Sequence, residues 1–415
     1  MKVSIKTPLE ILLIITLGLM IFFPANFIPA KIIMLAGIIF VSFFYYSYHE
    51  MKISKNVLQW CLFYIVINAI YFIYNIVAKN PDPVSRLNVN IIEPIIFTYC
   101  ILIIDNDMML RIIGAVKWIS LGVLFYNIFY FLSINGIVPY AISNYMPGVY
   151  ANLGGMSLGF VKFGAESLSW IMFLWPIYLC RFIYRYDATI SNLLLITAGL
   201  LNAVFSMRSA FLIIVFITPI LCILFSSQVS NNINKKRIVI TELAIILILF
   251  ILIAANGPLM QGILSKIQHS FSNQSFTNSS GIVDAGGQIR RSQMNDLINT
   301  WKYKPIFGWG DTANSLNVVR SDISGSYELT YFALLMQRGL IGVIIFAFQI
   351  IWIYINGVKI SKHFQNVFST KIIPVLVGFT CILLANATNP YLQSFDRLII
   401  LFAPLFFINL SELYA

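Results

Sequence analysis

The chain has 415 residues, of which 59% are hydrophobic and only 10% are charged. Soluble globular proteins average about 45–50% apolar and about 25% charged residues. A water-soluble fold could not cover its surface with so few polar groups, which excludes soluble enzymes, disulfide-rich secreted domains and disordered chains. A polytopic membrane protein remains. The net charge of +11 then indicates membrane topology rather than nucleic-acid binding.

Apolar stretches long enough to cross a membrane recur along the whole chain. A spanning helix needs about 20 mostly apolar residues, and windows of that length predict an all-α fold of about twelve spans. They lie at about 9–28, 30–47, 57–77, 90–104, 112–132, 167–184, 191–206, 209–226, 238–255, 340–357, 372–388 and 396–413. We expect the first span to stay uncleaved, because no small-residue cleavage site follows it. The chain thus divides into a membrane region at 1–255, a large loop at 256–339 and a second membrane region at 340–415.

Basic residues set the predicted orientation, because short segments rich in Lys and Arg stay in the cytoplasm. One set of alternate segments carries Lys2, Lys6, Lys52, Lys55, Arg111, Lys117, Arg181, Arg185, Lys235, Lys236, Arg237, Lys359, Lys362 and Lys371. The short segments of the other set carry only Lys31, Lys79, Arg86, Arg208 and Arg397. This asymmetry predicts that both termini are cytoplasmic. It also places two longer loops, at about 133–166 and 256–339, on the outer side.

The large loop holds much of the polar chemistry of the chain. Loops longer than about 15 residues are usually functional or disordered, and aromatic residues in the second half of this one favour folded structure. Residues 270–287 are rich in Ser, Asn and Gly and predict a mobile stretch. From Gln288 onward we expect a helix at 291–302, a turn at Lys304-Pro305, a helix from about 326 to 338, and then the Gly339–Gly342 step into the next span.

Arginines of the outer segments are the first candidates for substrate contact. Arg290 and Arg291 are adjacent in the large loop, Arg338 ends its second predicted helix, and Arg208 lies in a very short link between two spans. A guanidinium binds phosphate oxygens in bidentate fashion and stays charged. An ionisable residue at the membrane boundary is a functional candidate by default. The pattern predicts a site for a pyrophosphate or a phospholipid headgroup, with a solvated surface or snorkelling as the alternative.

Carboxylates on the same side are candidates for a general base. Glu328 is predicted to open the second loop helix, where the helix dipole alone also favours an acid. Glu166 ends the shorter loop and either faces the same cavity or pairs with Lys162 at i,i+4 spacing. Glu93, followed by Pro94, either faces a cavity at an irregular point of its helix or lies at the membrane interface.

Aromatic residues of the large loop can line a sugar site. Tyr327 and Trp309 are the candidates, because sugars stack on aromatic faces; interfacial anchoring is the alternative. The glycines of Pro305-Ile306-Phe307-Gly308-Trp309-Gly310 follow no predicted strand and match no nucleotide fingerprint, and His269 is expected to be a solvated loop residue. The 5 cysteines and 3 histidines show no metal-ligand spacing, so neither a metal nor a cofactor is predicted.

Three features of the sequence carry a resemblance to a known family. They are the arginine in the link before the eighth span, the stretch from Arg291 through Trp301 to Gly310, and the run Arg338-Gly339-Leu340-Ile341-Gly342. The chain resembles the O-antigen polymerase/ligase family. Members of that family are metal-independent glycosyltransferases of the membrane-embedded GT-C type, which act on the periplasmic face with undecaprenyl-pyrophosphate-linked glycans. The resemblance implies that Arg208, Arg290 or Arg291 binds the pyrophosphate.

The resemblance also separates the branches of the family. Ligases carry a His-Asn pair shortly before the Gly-x-x-Gly step, whereas Glu328-Leu329 stand there in this chain. This departure favours the polymerase branch, usually called Wzy, with Glu328 as the first candidate base and Glu166 as the second. The implied partners are lipid-linked repeat units, membrane lipid and a chain-length regulator, in the bacterial inner membrane. The alternatives are a ligase of the same family and a lipid-linked oligosaccharide flippase, although related halves and midplane charges typical of transporters are not seen.

Overall fold

The computed structural model describes residues 6–46, 52–157, 160–184, 186–187, 189–225, 285–317, 324–363 and 368–413. Most of them are helical. The α-helices are α1 (Lys6–Phe22), α2 (Ile28–Tyr46), α3 (Lys55–Val77), α4 (Glu93–Ile103), α5 (Asn106–Ile134), α6 (Leu168–Ile183), α7 (Ile190–Ser206), α8 (Ser209–Phe225), α9 (Ala285–Trp301), α10 (Thr330–His363), α11 (Ser369–Asn386) and α12 (Ile399–Leu413). Shorter pieces are the 3-10 turns Pro83–Arg86, Tyr140–Tyr145 and Tyr391–Gln393, the π turn Asn88–Ile92, and the strands β1 (Val149–Ser157) and β2 (Phe160–Ala165).

Apolar helices identify a multi-pass, mainly α-helical membrane protein. Five segments are long and apolar enough to cross a membrane: Ile28–Tyr45, Lys55–Val77, Pro83–Ile103, Asn106–Ile134 and Thr330–His363. Shorter apolar helices accompany them, and side chains such as Ile33, Phe43 and Val77 remain exposed on the outside of the bundle. An apolar surface of this kind suits contact with lipid. The predicted span at 238–255, the predicted mobile stretch at 270–287 and His269 lie outside the described residues.

Several helices begin at side chains that satisfy their free amides. Ser54 accepts a hydrogen bond from the Val57 amide at the start of α3, and Asp105 accepts one from Met108 at the start of α5. Ser, Thr and Asp are favoured at this position for that reason. The fourth predicted span is irregular, as Glu93-Pro94 indicated: a 3-10 turn and a π turn precede α4.

Buried amide side chains join the helices inside the bundle. Asn202 of α7 donates to the Leu124 carbonyl of α5 at 3.1 Å, and Asn192 donates to the Tyr178 carbonyl of α6 at 3.1 Å. In lipid such bonds replace the hydrophobic driving force between helices. Helix α6 is buried along almost its whole length against α7, α8 and α11, and forms the centre of the core.

The two ends of the bundle differ in their connections. At one end, which we call the loop end, the links before α2, α6, α8 and α12 meet the β-hairpin, and the folded part of the large loop packs on the end of α3. At the opposite end, Lys6 pairs with Asp105 at 2.7 Å and Lys117 with Asp187 at 2.8 Å. Candidate residues of the loop end are therefore held by several links at once.

The shorter loop contains a β-hairpin that the sequence analysis missed. Strands β1 and β2 pair antiparallel, with Val149 opposite Ala165 and Tyr150 opposite Gly164. The sequence predicted only an outer loop at about 133–166, although Val149, Tyr150, Val161 and Phe163 are of types favoured in strands. Because Lys162 lies in β2, the helical i,i+4 pairing with Glu166 that we considered is wrong.

The second half of the large loop folds as expected, with shifted boundaries. Helix α9 starts earlier than predicted, and the turn follows at Lys304-Pro305. Glu328 does not open the next helix, which begins at Thr330, because the Leu329 amide donates to the Gln293 side chain instead. Gly339 interrupts α10 with a φ of 64°. The Lys304-Pro305 turn packs against this break, because the Leu340 amide donates to the Pro305 carbonyl at 2.9 Å.

Candidate functional site

Arg208 lies at the loop end, in the link between α7 and α8. Met207 ends α7 with a φ of 48°, and this left-handed turn brings Arg208 toward the other links. Its guanidinium donates to the Tyr391 hydroxyl at 3.2 Å and to the Tyr150 hydroxyl of the hairpin at 3.4 Å. The boundary argument made from the sequence therefore identified a residue at a meeting point of three segments.

Arg397 is the second cation of this site, and the sequence analysis used it only for topology. Its Nε donates to Ser169 Oγ at 2.6 Å, and its Nη2 donates to the Glu166 carbonyl at 3.4 Å. The guanidinium carbon lies 5.8 Å from the centre of the Tyr391 ring. Arg208 thus contacts the hydroxyl group of Tyr391, and Arg397 lies near the ring of the same residue. We call Tyr150, Glu166, Arg208, Tyr391 and Arg397 the arginine site.

Neither arginine of this site is neutralised by a close carboxylate. Within the part of the chain that the structure describes, no carboxylate oxygen lies within 4.0 Å of the Arg208 or Arg397 nitrogens. Their hydrogen bonds go to hydroxyl and carbonyl oxygens, and Asp396 and the Glu166 carboxylate act on Arg397 only from beyond ion-pair distance. Two arginines in one site suit a di-anionic group such as a pyrophosphate.

Glu166 places a carboxylate in the same site. Its Oε2 accepts a hydrogen bond from Asn26 Nδ2 at 2.8 Å, while its backbone carbonyl receives Arg397. Burial raises the pKa of the Glu166 carboxyl above its ordinary value, although the charges of Arg397 and Lys31 act in the opposite direction. A carboxylate with a raised pKa beside an anion site is suited to take a proton from a hydroxyl group.

A buried ion pair holds the links beneath the arginine site. Lys31 Nζ lies 2.9 Å from Asp396 Oδ1, and the two side chains are 0% and 2% exposed. Lys31 also donates to the Phe23 carbonyl at 2.7 Å, and the Ala25 amide donates to Asp396 at 2.6 Å. The pair ties the turn before α2 to the residue next to Arg397. Applying the boundary argument to every short outer link would have found Lys31 and Arg397 along with Arg208.

The loop residues predicted as catalytic form a separate group. Arg290 Nε lies 2.9 Å from Glu328 Oε2, in an exposed ion pair, and Arg291 is exposed on the same helix. Among the described residues, no hydrogen bond or ion pair joins Arg208 to Arg290 or Glu328. The structure therefore brings Glu166 to Arg397, whereas Glu328 is paired with Arg290.

The remaining loop candidates have contacts inside the loop. Tyr327 is buried with Leu297 and Met336, and its hydroxyl accepts the Ser315 amide. Trp309 donates to the Thr300 carbonyl at 2.9 Å, and the Lys304 ammonium lies 4.1 Å from its ring centre. In this arrangement both side chains pack in the core of the large loop and stabilise it.

Arg338 is fully engaged by its neighbours. Two of its nitrogens contact the two oxygens of Asp311 at 2.6 Å each, and its Nη2 also donates to Asn68 at 2.7 Å. Its guanidinium lies over the Tyr71 ring at 4.8 Å. This bidentate pair fastens the loop to α3 and leaves little capacity for a pyrophosphate.

Glu93 is buried, with 1% of its surface exposed. Neither of its carboxylate oxygens has a hydrogen-bond partner among the described residues. Whether Glu93 faces a cavity or lies at the membrane interface stays a prediction. Among the described residues, no group of three or more His, Cys, Asp and Glu side chains could hold a metal ion.

Comparisons with known proteins leave the family open. Neither the models of known protein families nor the curated protein sequences gave a match to this chain. The functional argument therefore depends on the residues themselves and on the geometry of the arginine site.

Proposed function

We propose that this protein is a surface-polysaccharide polymerase, a glycosyltransferase that joins undecaprenyl-pyrophosphate-linked repeat units. The observation that carries the proposal is the arginine site, where Arg208 and Arg397 share Tyr391 and lack a carboxylate partner among the described residues. The proposal includes about twelve spans, a GT-C type of membrane fold and an inner-membrane location. With both termini in the cytoplasm, the loop end faces the periplasm, where such repeat units are joined.

In the proposed reaction the arginine site binds the donor pyrophosphate. The acceptor hydroxyl oxygen forms a bond to the anomeric carbon of the donor sugar, and the bond from that carbon to the phosphate oxygen breaks. The electron pair leaves with the pyrophosphate, where Arg208 and Arg397 stabilise the developing charge. Fixed charges of this kind supply a large share of transition-state stabilisation. No metal ion is needed for that purpose, since the guanidinium groups supply the positive charge.

Glu166 is the proposed base of this reaction. Its carboxylate takes the proton of the acceptor hydroxyl as the new bond forms. The sequence ranked Glu328 above it, but Glu328 is paired with Arg290 while Glu166 lies beside Arg397. Asn26 holds one carboxylate oxygen and leaves the other available to the acceptor.

A lipopolysaccharide gel tests the proposal in a Gram-negative host strain that makes O-antigen. Deleting the chain should reduce the ladder to core plus a single repeat unit, because export and ligation continue without polymerisation. Core alone would instead favour the ligase or the flippase, and an intact ladder would contradict the proposal. The side of the membrane on which lipid-linked glycan accumulates separates the ligase from the flippase.

Variants then test the arginine site itself. Arg208→Ala and Arg397→Ala should each abolish the ladder while protein levels in the membrane stay normal. Arg111→Ala is the matched control, because Arg111 pairs with Glu10 at the opposite end of the bundle. Normal chain lengths in both site variants would overturn the assignment.

A further inference from the structure

A second polar region shares the Tyr391–Gln393 turn with the arginine site. It is a pocket of about 730 Å³, counting the space at its mouth, between α3, the π turn Asn88–Ile92, α10 and α12. The turn supplies Tyr391 to the arginine site and Gln393 to the lining of this pocket. The two regions are therefore neighbours, but their polar side chains are different.

The charged floor of the pocket is already paired. Arg338 and Asp311 bind each other through two bonds of 2.6 Å, and Asn90 donates to Asp311 at 2.7 Å. An anionic ligand would have to compete with Asp311 for Arg338. The pairing instead fixes the amides of Asn68 and Asn90 as rigid neutral groups at the pocket wall.

The pocket also contains polar atoms that have no partner. Gln349 Nε2, Thr330 Oγ1 and Arg86 Nε are buried and make no hydrogen bond with any described residue. Gln349 and Thr330 are each only 4% exposed. Buried polar atoms almost always have a partner in folded proteins, and leaving one unsatisfied costs about 1–3 kcal/mol. Three such atoms around one pocket leave hydrogen bonds for water or for a ligand with several hydrogen-bonding groups to supply.

The rest of the lining defines the chemistry of that ligand. The amides of Asn386 and Gln393 both donate and accept hydrogen bonds, as sugar hydroxyls do. Tyr64, Tyr331 and Phe346 are aromatic residues of the lining, and the apolar face of a sugar can stack on an aromatic ring. A lipid tail would leave the polar atoms unsatisfied. A phosphate would be repelled by Asp311, which is paired with Arg338 and also acts on the charge of Arg86.

We propose that this pocket binds a sugar residue of a carbohydrate chain through Thr330, Gln349 and the amides around them. Carbohydrate binding follows from the pocket alone. The assignment of this sugar as the end of the acceptor glycan rests on the proposed polymerase function. Joining two glycans requires their ends to be neighbours, and the shared turn places the pocket next to the arginine site.

Binding of the full-length protein in detergent micelles to an array of bacterial repeat-unit oligosaccharides tests the inference. The wild-type protein should bind at least one oligosaccharide class, and Thr330→Val and Gln349→Leu should each weaken that binding at least tenfold. Thr197→Val is the matched control, because Thr197 lies on the outside of α7 and donates only to its own helix. Failure of the wild-type protein to bind any oligosaccharide would overturn the inference, and so would equal binding by the pocket variants.

Stability provides the second readout. The Thr330 hydroxyl has no partner among the described residues, so Thr330→Val should leave the unfolding temperature unchanged or raise it while glycan binding falls. A fall in both would indicate a structural role and would contradict the inference. Arg208→Ala should retain array binding. The two proposals can fail separately. If the pocket variants lose glycan binding while Arg208→Ala and Arg397→Ala strains still make polymer, the polymerase proposal is contradicted and carbohydrate binding by the pocket is supported.

Discussion

At the scale of single residues, the pairing of each cation decides its role. Arg338 is bound to Asp311, Arg290 to Glu328, and Lys31 to Asp396. A paired arginine would have to give up its carboxylate before binding a substrate anion. Arg208 and Arg397 have hydroxyl and carbonyl partners instead. Their charge is therefore the part of the loop end best prepared for a pyrophosphate.

Glu166 predicts a specific pH dependence of the transfer reaction. Burial raises its pKa above the usual glutamate value, and only the deprotonated form accepts a proton. The rate should therefore be low when the carboxyl is protonated and should rise with pH through the raised pKa. A pH–rate profile of the purified enzyme should show this acidic limb in the wild type.

The matched variant for that profile is Glu166→Gln, which keeps the shape of the side chain. It should lower the rate by about 100-fold, which lies in the range expected for loss of a general base, and the acidic limb should disappear. Glu328→Gln should keep the limb. If the limb vanished with Glu328→Gln instead, the base would be the residue that the sequence ranked first.

Sequence reasoning found part of the site at this scale. Arg208 was identified because its link is short and lies at a membrane boundary, a property of the local sequence. Arg397 satisfies the same condition but was counted only for orientation. The burial of Tyr327 and the pairing of Arg338 depend on packing between distant segments, which no local pattern shows.

At the scale of elements, the irregular pieces position the functional groups. The apolar helices of the described residues overlap the apolar runs of the sequence, and the total of about twelve spans stays a prediction. The β-hairpin that carries Tyr150 was not predicted, since its residues were predicted only as part of an outer loop at about 133–166. One of its glycines, Gly164, leaves the space in which the Tyr150 ring lies. The break at Gly339 was predicted as a glycine step, but its φ of 64° is set by contact with the turn at Ile306.

Gly339→Ala should destabilise the protein. The position has a left-handed φ, and an added Cβ would meet the Ile306 carbonyl. Strain of this kind costs about 1–3 kcal/mol, so the unfolding temperature in detergent should fall. Gly114→Ala is the control, because nothing lies within 4 Å of its added Cβ and alanine favours a helix by about 1 kcal/mol. Equal unfolding temperatures for the two variants would contradict the role assigned to the break.

At the scale of the whole molecule, the site exists only because distant links converge. Asn26, Glu166, Arg208 and Arg397 come from four connections, spread from the first helix pair to the last. The sequence predicted that these connections share one side of the membrane, from the distribution of Lys and Arg. It could not predict which of them touch, because that depends on how the helices pack.

The Lys31–Asp396 pair should stabilise this convergence. Removing one member leaves the other charge buried and unpaired, which costs about 3–5 kcal/mol. Lys31→Met should therefore lower the unfolding temperature strongly, and the double variant Lys31→Met/Asp396→Leu should recover much of the loss. A double variant as unstable as the single one would show that the pair itself does not hold the links.

Transfer by purified protein tests the central claim most directly. The full-length chain in proteoliposomes would receive undecaprenyl-pyrophosphate-linked repeat units, and product length would be followed on a gel. We expect polymer from the wild type and from Arg111→Ala, and a loss of at least about 100-fold in Arg208→Ala and Arg397→Ala. Polymer at the wild-type rate from both site variants would contradict the claim that the arginine site binds the leaving pyrophosphate.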